Sequence, residues 1–235
     1  MNNPTICVIG SCRVYSPTSL VIDEFPFTLG QGNTEWFTHS TRDVKQKLKI
    51  LDKSIILDEK IVPLVINDMK KYFPDAHKND FFKSIDYFVI EICSIQSNNY
   101  KGIELQQWCV RNLEEASSQA NNEILSNLNR VHLTKDDILV DLEYIYSYLN
   151  RKPILLVSHN MLTKPDGALP KPRAIIRGAL EEFCRGKSNV CMFDPTPHIL
   201  EFGIESAMKD PAHYHKIFEP MIGRAILDKL ITIDN

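Results

Sequence analysis

This sequence of 235 residues lacks the signatures of several common protein classes. Its six cysteines form no Cys-x-x-Cys pair, and its seven histidines form no His-x-x-x-His pair with an acidic neighbour. The usual dithiol and zinc patterns are therefore absent, as are the P-loop and the dinucleotide-binding fingerprint. The formal net charge of −3 gives no basic footprint for nucleic acid. Motifs and charge thus give no support for a zinc enzyme, a nucleotide-dependent enzyme or a nucleic-acid-binding protein.

The sequence also lacks a recognisable leader or membrane span. Residues 1–4 lead into an apolar strand without the basic and apolar segments of a secretory signal. No apolar run approaches the roughly 20 residues that a membrane-spanning helix needs. Four cysteines lie in strand-like or apolar helical segments, where reduced and buried thiols are expected: Cys7, Cys93, Cys184 and Cys191. We expect a cytoplasmic protein.

Short apolar segments alternate with segments of helical periodicity. The predicted buried strands are Thr5–Ile9, Tyr87–Cys93, Ile154–Ser158 and Val190–Asp194. The predicted helices are Thr41–Leu51 with Ser40 or Thr41 as N-cap, a segment after the N-cap Thr134, Arg173–Cys184 and His215–Ile231. Apolar strands with little alternation are typical of a parallel sheet that is covered on both faces. Their alternation with helices predicts an α/β fold with three layers and right-handed crossovers.

The length and composition fit one domain over residues 1–235, with 43% hydrophobic and 24% charged residues. Residues 101–131 are more polar, and we predict helical or partly irregular cover on one face there, with helical cover or an insertion around residues 101–150. The loop at 162–171 directly follows a predicted strand, where active-site loops of open sheets lie.

The most informative motif is the turn that follows the first strand, Gly10-Ser11-Cys12. Glycine passes a tight turn without steric cost, so a hydroxyl or thiol just after it can lie in open space. The same residues also fit an ordinary turn in which Ser11 caps the next helix. Arg13 could lower the pKa of the thiol or bind an anionic group, and a surface salt bridge is the equal alternative.

A second motif near the other end of the chain is Asp210-Pro211-Ala212-His213. A histidine can take the proton of a nucleophile while a nearby carboxylate holds its tautomer and stabilises the imidazolium. The alternative interpretation is that Asp210 and Pro211 begin the last helix.

Together the two motifs, with a late strand ending at Asp194-Pro195, resemble the SGNH or GDSL hydrolase superfamily. Its members carry Gly-Asp-Ser after the first strand and Asp-x-x-His near the C-terminus. The resemblance covers the whole chain in element order and implies a flavodoxin-like α/β/α sandwich with a mainly parallel sheet. It is closest to divergent branches that read Gly-Ser-Cys or Gly-Asn-Cys, some of which are linked to acyl transfer onto bacterial surface polysaccharides and include coenzyme A-binding members.

The register of this resemblance puts Cys12 at the position of the serine nucleophile and Ser11 at that of the aspartate. A thiolate forms more readily than an alkoxide beside a histidine, so we favour Cys12 over Ser11 as the nucleophile. His213 and Asp210 complete the implied site as base and orienting acid.

The resemblance also implies an oxyanion hole built from the nucleophile's N–H, a glycine after the second strand and an asparagine after the third. The loop Gly30-Gln31-Gly32-Asn33 supplies glycines in that region, although a plain turn fits it as well, and Gly32 and Asn33 are the candidates there. After Tyr87–Cys93 the chain has Ser94 instead of the family's Gly-x-Asn-Asp. Ser94 could donate in place of the asparagine.

Other polar residues occur at predicted strand ends and loops. His39 precedes a helix and could bind a phosphate or hydroxyl there, or simply cap or pack. His159 and Asn160 follow a strand and either line the cleft or belong to a plain loop. Glu91 lies inside an apolar strand and needs a partner such as Arg13 or His39.

We therefore predict acyl-ester chemistry, by an acyltransferase or an esterase, on a carbohydrate or small molecule. No cofactor is required, and acyl-CoA is the candidate donor if the group is transferred. The alternatives are a carbohydrate- or anion-binding protein without hydrolytic activity, or a sugar-handling transferase that uses Glu91, His39 and Arg13 in the same cleft.

Overall fold

The computed structural model describes residues 3–30, 37–66, 84–116, 119–163 and 167–233. In chain order the strands are β1 (Thr5–Ile9), β2 (Thr28–Leu29), β3 (Tyr87–Ile92), β4 (Gln96–Tyr100), β5 (Ile103–Glu104), β6 (Leu128–His132), β7 (Ile154–Ser158), β8 (Val190–Phe193), β9 (Met208–Asp210) and β10 (His213–Tyr214). The helices are α1 (Cys12–Val21), α2 (Thr41–Leu51), α3 (Val62–Val65), α4 (Gln107–Glu115), α5 (Gln119–Ser126), α6 (Lys135–Tyr148), α7 (Lys171–Cys184), α8 (Thr196–Phe202), α9 (Ile204–Ala207) and α10 (Glu219–Ile231), with a short 3-10 turn at Ile22–Glu24. Within these residues no helix has both the length and the apolar character to cross a membrane.

Five parallel strands form the central sheet in the order β2-β1-β3-β7-β8. Successive side chains of β1 enter opposite cores, because Ile6 and Val8 pack with α1 and α10 whereas Cys7 and Ile9 pack with α2, α6 and α7. Helices therefore cover both faces of the sheet. The predicted α/β/α sandwich with a parallel sheet is confirmed.

The first residues of two helices explain why they begin where they do. Ser40, one of the two predicted N-caps of α2, accepts a hydrogen bond from the Asp43 amide while the Asp43 carboxylate accepts one from the Ser40 amide. Thr134 and Asp137 form the same reciprocal capping box at the start of α6, as the sequence predicts. The last helix begins at Glu219, four residues later than predicted, because a turn at residues 216–218 separates it from His213–Tyr214, which pairs with β9 in a short antiparallel hairpin.

The prediction of helical or irregular cover between residues 101 and 131 is wrong in part. Helices α4 and α5 are present, but β4, β5 and β6 form a small antiparallel sheet beside them. This sheet buries polar groups: the Glu104 carboxylate accepts hydrogen bonds from Ser97 Oγ at 2.7 Å and Asn99 Nδ2 at 2.8 Å. Strands that satisfy buried polar residues in this way lack the apolar pattern that identifies strands in a sequence.

Helices α1 and α10 pack closely at Gly223, and this contact gives a testable expectation. A Cβ atom there would overlap the backbone carbonyl of Pro17, whereas one on Gly178 in α7 would meet nothing within 4 Å. Gly223→Ala should therefore lower the free energy of unfolding by about 1–3 kcal/mol through overpacking. Gly178→Ala should raise it by up to about 1 kcal/mol, because alanine is the better helix former. Urea denaturation of both variants tests this pair, and equal effects would contradict the close packing.

Candidate active site

The turn between β1 and α1 leaves one of its two candidate nucleophiles accessible and engages the other in a hydrogen bond. Gly10 is required here, since a Cβ atom would lie 2.7 Å from Cβ of Glu91. Ser11 is the N-cap of α1: it is 5% exposed, and its Oγ accepts a hydrogen bond from the Arg13 amide at 3.2 Å. Cys12 is the first residue of the helix and is partly exposed. The thiol is thus the more accessible of the two groups.

The Asp210 and His213 side chains are joined across the hairpin of β9 and β10. Nδ1 of His213 lies 2.9 Å and 2.8 Å from the two carboxylate oxygens of Asp210. The amides of Ala212 and His213 also donate to Oδ1 of Asp210, at 2.7 Å and 2.9 Å. An Nδ1–H that donates to a carboxylate leaves Nε2 as the basic nitrogen of the ring. Asp210 therefore orients the imidazole, and it does not begin the last helix.

Cys12 and His213 line the same cavity, which has a volume of about 250 Å³. Its other lining residues are Arg13, Lys209, Tyr214, His215, Lys216 and Glu219. The structure therefore brings the two predicted motifs together, although they lie at opposite ends of the chain. The sequence interpretation missed these lysines, Tyr214 and Glu219, and their only signal was proximity to Asp210 and His213 along the chain.

The pKa values of Cys12 and Asp210 shift in opposite directions. Burial raises the pKa of the Cys12 thiol, the Arg13 guanidinium opposes that shift and the Glu91 carboxylate adds to it. Although its partial burial acts in the other direction, hydrogen bonds from the Ala212 amide and the His213 ring hold the pKa of Asp210 below its usual value. At neutral pH the site thus holds a protonated thiol and an ionised carboxylate, so the thiol needs a base.

The remaining cysteines offer no comparable group. All six are free, and burial raises the pKa of Cys7 to about 12. The prediction that Cys93, Cys184 and Cys191 are fully buried is wrong, because each is partly exposed. Burial still dominates the pKa of each, and raises it. None of them lines the cavity that holds Cys12.

Arg13 and Glu91 form a buried ion pair directly behind the turn. Arg13 is 7% exposed and Glu91 1% exposed, and Nε and Nη2 of the guanidinium lie 2.9 Å and 2.7 Å from Glu91 Oε1. The predicted partner of Glu91 is therefore confirmed as Arg13, and the alternative of a surface salt bridge for Arg13 is wrong. Although burial opposes it, the Glu91 carboxylate keeps the pKa of Arg13 above its usual value, so the guanidinium stays charged.

The other predicted binding residues lie in different places. His159 contacts Arg13, with 2.7 Å between Nε2 and Nη1, while Asn160 lines a neighbouring cavity of about 610 Å³ beside Asp210. The backbone carbonyl of His39 accepts hydrogen bonds from the amides of Cys93 and Ser94, and neither His39 nor Ser94 lines the Cys12 cavity. Gly32 and Asn33 lie outside the described residues.

Ser94 has a local role in the structure. Its Oγ accepts a hydrogen bond from the Gln96 amide at 3.0 Å, at the point where β3 leads into β4. The described residues contain no group of three histidine, cysteine or acidic side chains that could hold a metal ion. The chemistry of this site therefore has to be argued from Cys12, His213 and Asp210.

The buried His159 makes the stability of the protein depend on pH. Burial and the charges of Arg13 and Arg173 lower the pKa of His159 to about 2, whereas an unfolded histidine titrates near 6.5. Below about pH 6.5 His159 binds a proton in the unfolded chain but not in the folded chain. Its contribution to stability is therefore present above that pH and is lost as the pH falls.

We expect the free energy of unfolding to fall, on account of His159, by up to about 1.4 kcal/mol per pH unit below pH 6.5. The variant His159→Gln should show a shallower fall, measured by urea denaturation at a series of pH values. The same substitution at the exposed His132 controls for the exchange itself. An unchanged slope in His159→Gln would contradict the buried neutral histidine.

Comparison with known proteins agrees with this architecture. The profile of a family described as the TviD N-terminal domain matches residues 4–115 and 111–229. The Vi polysaccharide biosynthesis protein TviD of Salmonella typhi is 21% identical over 271 residues, in an alignment that covers 98% of this chain and 32% of that protein. The chain thus spans about a third of the length of the curated relative it matches.

Among solved structures, a variant of Axe2, an acetyl-xylooligosaccharide esterase from Geobacillus, has a similar fold. The TM-score is 0.52 at 11% sequence identity, and the match covers 98% of this chain and 96% of that one. The fold that the SGNH or GDSL resemblance implies is therefore confirmed.

Proposed function

We propose that this chain, which belongs to the TviD N-terminal domain family, carries out acyl-ester chemistry on a carbohydrate, with Cys12 as nucleophile, His213 as base and Asp210 as the group that orients the base. The observation that carries the proposal is the cavity that Cys12 and His213 line together. The carboxylate of Asp210 holds the Nδ1 atom of His213 beside it. A nucleophile, a base and an orienting acid in this relation are the parts that covalent acyl transfer needs.

The relatives support the substrate class. The curated relative is named for polysaccharide biosynthesis, and the protein of similar fold is an esterase of acetylated xylooligosaccharides. Two lysines, Lys209 and Lys216, line the cavity against one carboxylate, Glu219, while the charge of Arg13 is already paired with the buried Glu91. That balance favours an anionic group on the donor or the acceptor.

In the first step His213 Nε2 takes the thiol proton as Cys12 Sγ attacks the acyl carbonyl carbon. The resulting oxyanion then collapses, the bond to the leaving group breaks, and the imidazolium returns the proton to that group. This leaves a thioester on Cys12. His213 next takes a proton from the acceptor hydroxyl or from water as that oxygen attacks the thioester carbon. The C–S bond then breaks, and the imidazolium returns its proton to the Cys12 thiolate, which restores the free thiol. Asp210 stabilises the imidazolium in both steps.

The developing oxyanion needs hydrogen-bond donors. The backbone N–H of Cys12 is at the N-terminus of α1, where unpaired amides and the helix dipole favour negative charge. Gly32 and Asn33 remain the proposed further donors. Ser94, which the Gln96 amide engages outside the cavity, is the weaker candidate.

The choice between transfer and hydrolysis depends on what reaches the thioester first. We favour transfer inside the cell from an activated donor such as acyl-CoA, and no cofactor is required.

The test supplies the purified protein with acetyl-CoA or para-nitrophenyl acetate, with and without an oligosaccharide that carries carboxylates. Mass spectrometry should detect the acetylated sugar, and His213→Ala should abolish it. Release of free acetate alone would favour an esterase. Binding of the oligosaccharide without any turnover, and without alkylation of Cys12 by iodoacetamide, would favour the carbohydrate-binding alternative.

A further inference from the structure

The buried pair of Arg13 and Glu91 connects the two halves of the proposed site. On one side, Glu91 Oε2 accepts a hydrogen bond of 2.7 Å from the amide of Ser11, the residue before Cys12. Glu91 Oε1 meanwhile accepts from Nε and Nη2 of Arg13. The carboxylate thereby ties the nucleophile turn to the guanidinium, and charge-assisted bonds of this kind hold their geometry well.

The third nitrogen of Arg13 reaches the other half. Nη1 donates to the backbone carbonyl of Ala212 at 3.3 Å and lies 2.7 Å from Nε2 of His159. Ala212 directly precedes His213 in the loop that carries the base. His159 is held neutral, as its lowered pKa of about 2 requires, so its Nε2 can accept from Arg13. Arg13 therefore contacts both Glu91, which holds the turn before Cys12, and the backbone carbonyl that precedes His213.

A second arginine holds the neighbouring carbonyl of the same loop. Nη2 of Arg173 donates to the carbonyl of Pro211 at 3.2 Å, and Asn160 Nδ2 lies 3.4 Å from that same oxygen. Nη1 of Arg173 is fixed by Asn160 Oδ1 at 2.6 Å. Both residues between Asp210 and His213 are thus anchored by guanidinium groups that come from α1 and α7.

The loop needs such an anchor. The strands β9 and β10 contain five residues and form two pairs, and the His213 side chain is 56% exposed. Exposed short hairpins with few buried contacts open readily. A displacement of about 1 Å between reacting groups can lower a rate about a hundredfold.

We propose that Arg13 is a positioning residue that sets the place of His213 relative to Cys12, by tying the Glu91-held turn to the carbonyl of Ala212. The inference rests on the proposed function. It assigns Arg13 a structural contact with each half of the site and no contact with the reacting atoms.

The test measures kcat and KM for para-nitrophenyl acetate in Arg13→Lys. Lysine keeps the positive charge beside Glu91, but its single ammonium cannot serve Glu91, His159 and Ala212 together. We expect kcat to fall about a hundredfold with KM changed by less than about threefold, because base and nucleophile lose their alignment. The control is Arg224→Lys, which changes an exposed arginine paired with Glu24 and should keep both constants.

A second variant distinguishes a loss of alignment from a failure to fold. Arg13→Gln with Glu91→Gln replaces the pair by neutral amides of similar size, and it should lose kcat in the same way while circular dichroism remains that of the wild type. If Arg13 instead binds the substrate, KM will rise while kcat stays, and the positioning role is overturned. Unfolding of both variants would show that the pair serves folding and would overturn it too.

The outcomes separate this inference from the function on which it rests. Wild-type turnover that His213→Ala abolishes, together with full kcat in Arg13→Lys, would refute the positioning role and leave the proposed function standing. Absence of wild-type turnover would remove both.

Discussion

Replacement of Cys12 by alanine is expected to lower the turnover of para-nitrophenyl acetate by at least about a thousandfold. The thiol is the proposed point of covalent attachment, and loss of the nucleophile in such a site removes nearly all of its rate enhancement. Cys12 is partly exposed and lines the cavity with His213. Initial rates at saturating substrate measure the effect.

The matched control is Ser11→Ala, one position earlier. Its Oγ already caps α1, so its loss should lower the free energy of unfolding by about 1 kcal/mol and leave the rate within about tenfold of the wild type. A large loss of rate in Ser11→Ala with an active Cys12→Ala would identify the serine as the nucleophile and reverse this assignment.

Removal of the Glu91 carboxylate should produce the largest loss of stability. In Glu91→Ala the Arg13 guanidinium stays buried without its counter-ion, and breaking a buried ion pair from one side costs about 3–5 kcal/mol. The Ser11 amide also loses the oxygen that it contacts at 2.7 Å. Urea denaturation gives the free energy of unfolding for comparison with the wild type.

Glu24→Ala provides the comparison, because Glu24 pairs with Arg224 through two hydrogen bonds but lies on the surface. An exposed pair contributes about 0–1 kcal/mol, so the two variants should differ by several kcal/mol. Equal losses would show that the pair behind the Cys12 turn is not buried as described.

The central sheet was predictable from the sequence, because strands covered on both faces are mostly apolar runs with little alternation. Thr5–Ile9 and Ile154–Ser158 have the bounds that their apolar runs predict. Strand β2 could not be predicted, because two residues are too few to show a periodic pattern. The small sheet of β4, β5 and β6 could not be predicted for another reason. Hydrogen bonds to Glu104 stabilise its buried polar residues, and composition does not reveal such bonds.

The candidate site was predictable to a similar extent. Both motifs are short and local, so the Cys12 turn and the Asp210 and His213 pair could be identified before the fold was known. The contacts that join them could not, because Arg13 and Ala212 are 199 positions apart along the chain. A lone arginine after a cysteine fits a surface ion pair equally well, and only the position of Glu91 in the neighbouring strand accounts for its burial.

The most direct measurement of the central claim is the identity of the residue that carries the acyl group. The protein is mixed with para-nitrophenyl acetate, quenched with acid within the first turnover, digested and mapped by peptide mass spectrometry. If Cys12 is the nucleophile, an acetyl group lies on the peptide that contains Cys12 in the wild type but not in Cys12→Ala. An acetyl group on Ser11, or turnover with no acetylated residue in this peptide, would contradict it.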